Sequence, residues 1–278
     1  MQLIYENELG RIILGGGKND SINITEIQGL SFPETYANTV KYSGVPGQTV
    51  VSVSVLPRTI TVSGDIKDKT GILAQKIATV LSKEGTLYVV SERRKRKIDA
   101  RCTSFVPEKK KGIFIPFSAQ FVCDSPYFED ANETCESVFK KVNLMKNEFV
   151  LPYMFSKRIT EARIINRGTY VNEPVFEITV PDYASCPNGI VIENRTTGKN
   201  IKLLCDVLKD ECITVDIRKR KVWSNLRGNL LGKLSDESIL SDMGLTVGIN
   251  DISVQAEDEP GFLKVVCKYT NSYVEALI

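Results

Sequence analysis

Short runs of alternating apolar and polar residues, separated by turn residues, restrict the fold of this chain more than any other feature. Val50 to Val55 and Thr59 to Ser63 alternate in this way, and many later runs follow Asn-Gly, Thr-Gly or Pro-Gly turns. Because successive side chains of a strand point to opposite faces, a period of two predicts half-buried antiparallel strands. The chain is therefore expected to be mainly β.

One segment has a helical period instead. Its apolar face is formed by Leu73, Ile77, Val80 and Leu81. Asp68 or Thr70 can cap the start of this segment, and Gly85 follows its end, where glycine is favoured. The pattern predicts a single helix over about residues 69–84.

The 278 residues are enough for about two domains. A polar stretch from Asp124 to about Lys146 loses the alternation and contains Pro126, which marks a boundary. The sequence thus predicts a first β domain with one helix over residues 1–130 and a linker over 131–145. Residues 146–278, with many short strands and almost no helix, are expected to form an antiparallel β-sandwich.

The composition argues against most catalytic classes. The chain has no histidine and a net charge of +2. Histidine is the commonest base and metal ligand, so its absence excludes Ser-His and Cys-His nucleophile systems and most zinc hydrolase sites. We expect no enzymatic activity, metal or cofactor, although a glycosidase with two carboxylates would pass this filter.

Seven scattered cysteines indicate buried thiols in a reducing compartment, since the nearest pair, Cys205 and Cys212, lacks the Cys-x-x-Cys spacing. The N-terminus has no signal-peptide pattern and no apolar run approaches 18 residues. These features predict a protein made in a cytoplasm, without a membrane-spanning helix.

Several stretches of the first domain resemble the distal tail protein family of long-tailed bacteriophages. Ile27-Gln-Gly-Leu30 followed by Val45-Pro-Gly-Gln48 looks like the opening hairpin of that family. Pro57-Arg58-Thr-Ile-Thr-Val-Ser-Gly64-Asp-Ile66 looks like the long strand before its helix. Phe121-Val-Cys-Asp-Ser-Pro126-Tyr127 is similar to the motif that closes its N-terminal domain.

The second half carries the resemblance further. Asn166-Arg-Gly168, Glu173-Pro-Val-Phe-Glu-Ile178 and Ile192-Glu-Asn-Arg-Thr-Thr-Gly198 look like successive strands of the family's galectin-like domain. The resemblance implies an N-terminal β-sandwich or split-barrel domain that forms a ring, generally of six subunits, followed by a galectin-like β-sandwich. The implied role is a structural hub that joins the tail tube to the host-adsorption apparatus.

The implied partners are other copies of the chain, the tail tube protein, baseplate or receptor-binding proteins and the tape measure protein. DNA would meet the protein only by passing through the ring lumen. The resemblance places the protein at the tail tip of a virion or tail-like particle, assembled in the bacterial host cytoplasm. Two other functions remain open: a carbohydrate-binding module of a tail or secreted particle, and a glycosidase.

Five consecutive cations form the most conspicuous charged segment: Arg93, Arg94, Lys95, Arg96 and Lys97. They could contact phosphate. A solvated hairpin tip is the favoured interpretation, because no aromatic residue interleaves the run and nucleic-acid binders usually spread their cations over a whole face.

Small hydroxyl residues alternate with the apolar residues Val51, Val53, Ile60 and Val62 of two early strands. These hydroxyl residues are Ser52, Ser54, Thr59, Thr61 and Ser63. They could form the wet face of an ordinary sheet. The family resemblance implies instead that they line a ring lumen, where few cations should be present because each cation would hold passing DNA.

Other motifs have simpler interpretations. Gly15-Gly-Gly-Lys18 lacks the phosphate-loop pattern and is expected to be a turn. Trp223, the single tryptophan, is assigned to sandwich packing or a subunit contact rather than to sugar binding. Asp210-Glu211 and Glu257-Asp-Glu259 are expected to lie in solvated loops.

Overall fold

The computed structural model describes residues 1–15, 21–91, 94–143, 156–180, 183–256 and 263–276. It divides into two compact units, Met1–Ala131 together with Ser272–Ile278, and Asn132–Asn271. The described residues form antiparallel strands, one α-helix and two short 3₁₀ helices. The mainly β fold with a single helix that the sequence predicts is confirmed.

Ten strands and the helix come first in the chain. The strands are β1 (Gln2–Asn7), β2 (Gly10–Leu14), β3 (Ile22–Gln28), β4 (Thr35–Val40), β5 (Thr49–Val55), β6 (Arg58–Lys67), β7 (Gly85–Val90), β8 (Lys95–Pro107), β9 (Phe114–Cys123) and β10 (Phe128–Asp130). The helix α1 (Ile72–Leu81) follows β6. The main sheet has the order β2-β1-β7-β8-β9-β6-β3 and does not close into a barrel within the described residues, while β4 and β5 form a sheet of their own.

Helix α1 begins where the carboxylate of Asp68 satisfies free backbone N–H groups. Asp68 Oδ1 accepts from the amide of Gly71 at 2.8 Å, and Oδ2 accepts from those of Leu73 at 2.8 Å and Ala74 at 3.1 Å. Burial would raise the pKa of Asp68, but hydrogen bonds from the amides of Thr70, Gly71 and Ala74 and from the Thr70 hydroxyl lower it to about 2. Gly71 therefore occupies the N-cap position, while Asp68, one of the two residues predicted to cap the helix, supplies the side-chain acceptor from three residues earlier.

Eleven strands belong to the second unit. They are β11 (Thr134–Asn143), β12 (Ser156–Ile159), β13 (Glu161–Asn166), β14 (Val175–Thr179), β15 (Ile190–Asn194), β16 (Lys199–Leu203), β17 (Cys212–Asp216), β18 (Lys221–Ser224), β19 (Gly228–Asn229), β20 (Gly248–Ala256) and β21 (Lys264–Tyr269). They form a seven-stranded sheet, β12-β11-β21-β14-β17-β18-β19, and a four-stranded sheet, β13-β20-β15-β16. Phe176 and Val215 of the first sheet share one buried core with Ile192 and Ile252 of the second, so the unit is a β-sandwich.

The structure differs from the predicted boundaries at two places. Thr134–Asn143, expected to lie in a linker, form β11 and pair with β12 and β21. The last described strand, β22 (Ser272–Tyr273), pairs with β10 and belongs to the first unit, although the sequence places it in the second domain. The second unit is therefore an insertion between two neighbouring strands of the first.

The cysteines are free thiols, and Cys123, Cys186 and Cys267 are buried. Burial raises the pKa of Cys123 to about 12 and that of Cys186 to about 11, so both stay protonated at neutral pH. No helix among the described residues is long and apolar enough to cross a membrane.

Candidate assembly surface

The arm, residues 34–56, consists of β4, β5 and the loop between them. Its strands pair only with each other, with Tyr36 opposite Ser54 and Asn38 opposite Ser52. Every residue of the arm is exposed, and Glu34 and Lys41 are its only charged residues. A two-stranded sheet without cover from the described residues is at best marginally stable in water, so the arm is a candidate for contact with another chain.

The two faces of the arm differ in chemistry. One face presents Ala37, Val50, Val51, Val53 and Val55, and Val51 and Val53 are 66% and 62% exposed. The other carries Asn38 and Ser52, whose side chains are hydrogen-bonded at 2.9 Å. No part of the chain that the structure describes covers the apolar face. Burial of Val51 and Val53 within the chain, as the sequence predicts, is therefore wrong.

Strand β6 follows the predicted alternation. Ile60 and Val62 are fully buried, whereas Thr59 is exposed and Thr61 and Ser63 are half-buried on the outer face of the main sheet. Ser52 and Ser54 lie on β5, in the separate arm sheet. The five hydroxyl residues that the sequence groups together are thus divided between two sheets.

Neighbouring strands extend the hydroxyl row of β6. Gln28 of β3 and Gln120 of β9 lie on either side of Thr61, and Glu26 and Ser118 lie on either side of Ser63. These rows contain no lysine or arginine. Sequence reasoning missed Ser118 and Gln120, although the alternation Phe117-Ser-Ala-Gln-Phe121 carries the signal. We call Thr59, Thr61, Ser63, Ser118 and Gln120 the hydroxyl face.

A buried arginine, Arg58, follows the arm in sequence and binds residues that precede the arm. The guanidinium of Arg58, which is 3% exposed, donates from Nη1 to the carbonyls of Gly29 at 2.6 Å and Ser31 at 2.5 Å. Its Nε donates to the carbonyl of Pro126 at 2.8 Å, and Nη2 donates to that of Val274 at 2.6 Å. Burial lowers the pKa of Arg58, but a guanidinium remains charged in proteins. One side chain therefore joins four segments of the first unit.

The basic segment is divided by the structure. Arg93 lies outside the described residues, Arg94 is exposed before β8, and Lys95, Arg96 and Lys97 begin β8. Arg96 is 4% exposed, lies over the ring of Tyr273 at 3.7 Å and donates to the carbonyl of Glu275. Arg96 thus does not belong to a solvated tip, because its side chain holds residues 273–275.

In the second unit, Glu211 also departs from its expected place. It is buried, not in a solvated loop, and its carboxylate accepts two hydrogen bonds from Arg227, Nε to Oε1 and Nη2 to Oε2, both at 2.7 Å. The amide of Leu208 donates to Oε2 at 2.8 Å, and Ser224 donates to Oε1. Burial alone would raise the pKa of Glu211, but these donors lower it, so the carboxylate stays ionised and structural.

Replacing Glu211 by alanine is expected to destabilise the second unit by about 3–5 kcal/mol, because the ion pair is broken and buried donors lose their acceptor. The fluorescence of Trp223, which lies in the second unit, follows the unfolding of this unit by denaturant. The matched control is Arg163→Ala, which removes the exposed pair with Asp251 and should cost less than about 1 kcal/mol. Equal effects of the two substitutions would refute the structural role of Glu211.

Trp223 does not pack inside the sandwich. It is 45% exposed on the outer face of the seven-stranded sheet, between Thr214 and Asn229 on the adjacent strands. Lys221 Nζ lies 4.1 Å from the ring centre and covers that face of the ring. The sandwich-packing interpretation is therefore wrong, and a subunit contact remains a prediction.

Two other sequence motifs lie largely outside the described residues. Gly15 has a φ of +71°, as in a turn, while Gly16, Gly17, Lys18 and Glu257–Glu259 lie outside the described residues. Over the part of the chain that the structure describes, no group of three or more Cys, Asp or Glu side chains could hold a metal ion.

The described residues define a class, a mainly antiparallel β protein with an exposed apolar arm. Residues 17–123, which lie in the first unit, match the family model of the phage tail protein RIFT-related domain. A comparison with curated proteins gives no match.

Solved structures extend the similarity to the whole chain. The SPP1 Dit protein, described as a paradigm of the hub adsorption apparatus in phages that infect Gram-positive bacteria, matches with a TM-score of 0.68 and 13% identity over 98% of both chains. A chain of the activated, calcium-containing baseplate of phage P2 matches with a TM-score of 0.48 and 11% identity, over 96% of this chain and 97% of that one. The resemblance to phage distal tail proteins is therefore confirmed, with the fold of the SPP1 protein as its structural basis.

Proposed function

We propose that the chain is a structural hub protein of a phage tail tip or baseplate. Copies of it assemble into a ring that connects the tail tube to the host-adsorption apparatus. The observation that carries this proposal is the arm, whose apolar face has no partner within the described chain. The phage tail domain and the Dit fold support the same role.

The arm favours assembly from copies of one chain. A contiguous exposed apolar face marks a contact surface, and an unpaired ribbon edge can add to a sheet of another molecule. When an arm of one copy binds a different surface of the next, the contact is head-to-tail and closes into a ring if the rotation permits. The resemblance implies a ring of six.

Aspartates at Val51 and Val53 are expected to abolish this assembly. Each carboxylate buried without a partner costs several kcal/mol, so the association constant should fall at least about a thousandfold. Sedimentation velocity measures the change. The matched control places aspartates at Ser52 and Ser54, on the opposite face of the same strand, and should retain more association. Wild-type assembly by the Val51→Asp, Val53→Asp protein would contradict the proposal.

We also propose that the hydroxyl face lines the lumen through which DNA passes. On β3, β6 and β9 its rows around Thr61 and Ser63 are polar and carry no cation, as a wall for a moving polyanion requires. Arg101, at the edge of this face, is paired with Glu84 and Asp124. Ser52 and Ser54 do not lie on the hydroxyl face and remain weaker candidates for the same role.

Lysines at Thr61 and Ser63 are expected to leave the ring assembled but to slow genome ejection, because each new cation at a phosphate adds salt-dependent affinity. Ejection from assembled particles is followed with a DNA-binding dye at two salt concentrations. Glutamines at the same positions control for side-chain size. Ejection by the lysine variant at the control rate at both salt concentrations would exclude this face from the channel wall.

A further inference from the structure

Residues 272–276, the return segment, bring the chain back to the first unit after the second unit is complete. Tyr273 pairs with Phe128 and Ser272 with Glu129, so β22 adds to the edge of β10. Ser272 and Ala276 are buried, and the amide of Ala276 donates to the carbonyl of Leu30 at 3.0 Å. The return segment is therefore part of the structure from which the arm projects.

The same arginine contacts the return segment and the residues just before the arm. Arg58 directly follows the arm in sequence, and its Nη1 binds the carbonyls of Gly29 and Ser31 just before the arm. Its Nη2 binds the carbonyl of Val274 in the return segment. Because a guanidinium is planar and rigid, its donors fix these carbonyls in one arrangement. The residues that flank the arm, 29–33 and 57–58, which we call the arm base, are thus linked to the return segment through Arg58.

We propose that docking of the return segment controls self-assembly by fixing the base of the arm. Without it, Nη2 of Arg58 and the carbonyl of Leu30 lose buried partners, and the cost of unpaired buried groups favours rearrangement of the base. The arm then samples many orientations and loses the preorganisation that a tight contact needs. The inference rests on the proposed function, in which the arm binds a second copy.

The order of the segments along the chain determines when the return segment can dock during synthesis. Residues 132–271 precede the return segment, so the arm base is completed only after the second unit has been synthesised. Incomplete chains would carry an arm that is not yet fixed. The return segment would thereby delay ring formation until both units are present.

The test compares the full chain with a variant that ends at Asn271, by sedimentation velocity. The shortened protein is expected to self-associate at least about tenfold more weakly than the full chain, while the core amides of β6 and β9 stay protected from hydrogen exchange. A synthetic peptide of residues 270–278 should restore the association. Protected core amides with unchanged association would overturn the proposal, as would failure of the bound peptide to restore association.

Arg58→Lys gives a second test if the shortened protein loses its protected core. A lysine keeps the charge but cannot bind the carbonyls before the arm and that of Val274 at the same time. Self-association should therefore weaken, and amide hydrogen exchange in the arm should rise. Arg101→Lys, at an exposed arginine of the same sheet, should have neither effect. Equal association of these two variants would overturn the coupling. A full chain that never self-associates would instead refute the proposed function.

Discussion

Replacing Arg58 by methionine is expected to destabilise the first unit by about 3–5 kcal/mol. The substitution keeps much of the apolar stem but leaves the carbonyls of Gly29, Ser31, Pro126 and Val274 without their buried donor. Hydrogen bonds to charged groups contribute about 1.5–3 kcal/mol each, and buried acceptors left unpaired add to the loss. Since a whole domain is stable by only about 5–15 kcal/mol, this one change should bring the unit close to unfolding.

The measurement separates the two units. Trp223, the single tryptophan, lies in the second unit, so its fluorescence transition should not move in the Arg58→Met protein. Amide hydrogen exchange in β6 and β9 should rise by several orders of magnitude if the first unit opens more easily. Arg101→Met, at an exposed arginine of the same unit, should change stability by less than about 1 kcal/mol. Unchanged exchange in Arg58→Met would contradict the role of this side chain.

Removing the second unit while keeping the return segment is expected to give a stable first unit. Glu129 and Ser272 are direct partners in the β10–β22 ladder. The two ends that the deletion creates, Ala131 and Ser272, therefore lie close together. A three-residue Gly-Ser-Gly linker should join them as a hairpin. The joined protein regains the acceptors for Arg58 and Arg96 and should exceed the fragment 1–131 in stability by about 3–5 kcal/mol.

Thermal unfolding of the two proteins, followed by circular dichroism, checks this expectation. A joined protein whose return segment carries proline at Tyr273, within the β22 ladder, serves as the control and should resemble the fragment. Equal stability of the joined protein and the fragment would show that the return segment contributes nothing to the first unit. The first unit would then be complete at Ala131, and its stability would not depend on residues that follow the second unit.

Strands β5 and β6 show how much about burial can be predicted from alternating apolar and polar residues. Both strands alternate valine or isoleucine with hydroxyl residues, and the pattern predicts one buried face for each. In β6 the prediction holds, because Ile60 and Val62 pack inside the first unit. In β5 the face of Val51 and Val53 stays open within the described chain. Alternation of apolar and polar residues predicts that the apolar face will be buried. It does not show whether the same chain or another chain buries that face.

Buried charges are the second class of feature that sequence reasoning missed. Arg96 and Glu211 occur in charged runs that predict solvated loops, yet their side chains are buried with partners at Glu275 and Arg227. Arg58 stands inside a motif of the family resemblance, but the carbonyls it binds come from three segments that are distant from one another in sequence. Such sites depend on long-range packing, and local sequence carries no signal of it.

Native mass spectrometry of the full chain, combined with electron microscopy of the same sample, tests the central claim most directly. The proposed hub predicts one closed oligomer, of six copies if the family resemblance extends to stoichiometry, with rotational symmetry and a central channel. The variant with aspartates at Val51 and Val53 should yield folded monomers under the same conditions. A full chain that remains monomeric at every concentration, or that forms open aggregates without a channel, would contradict the account.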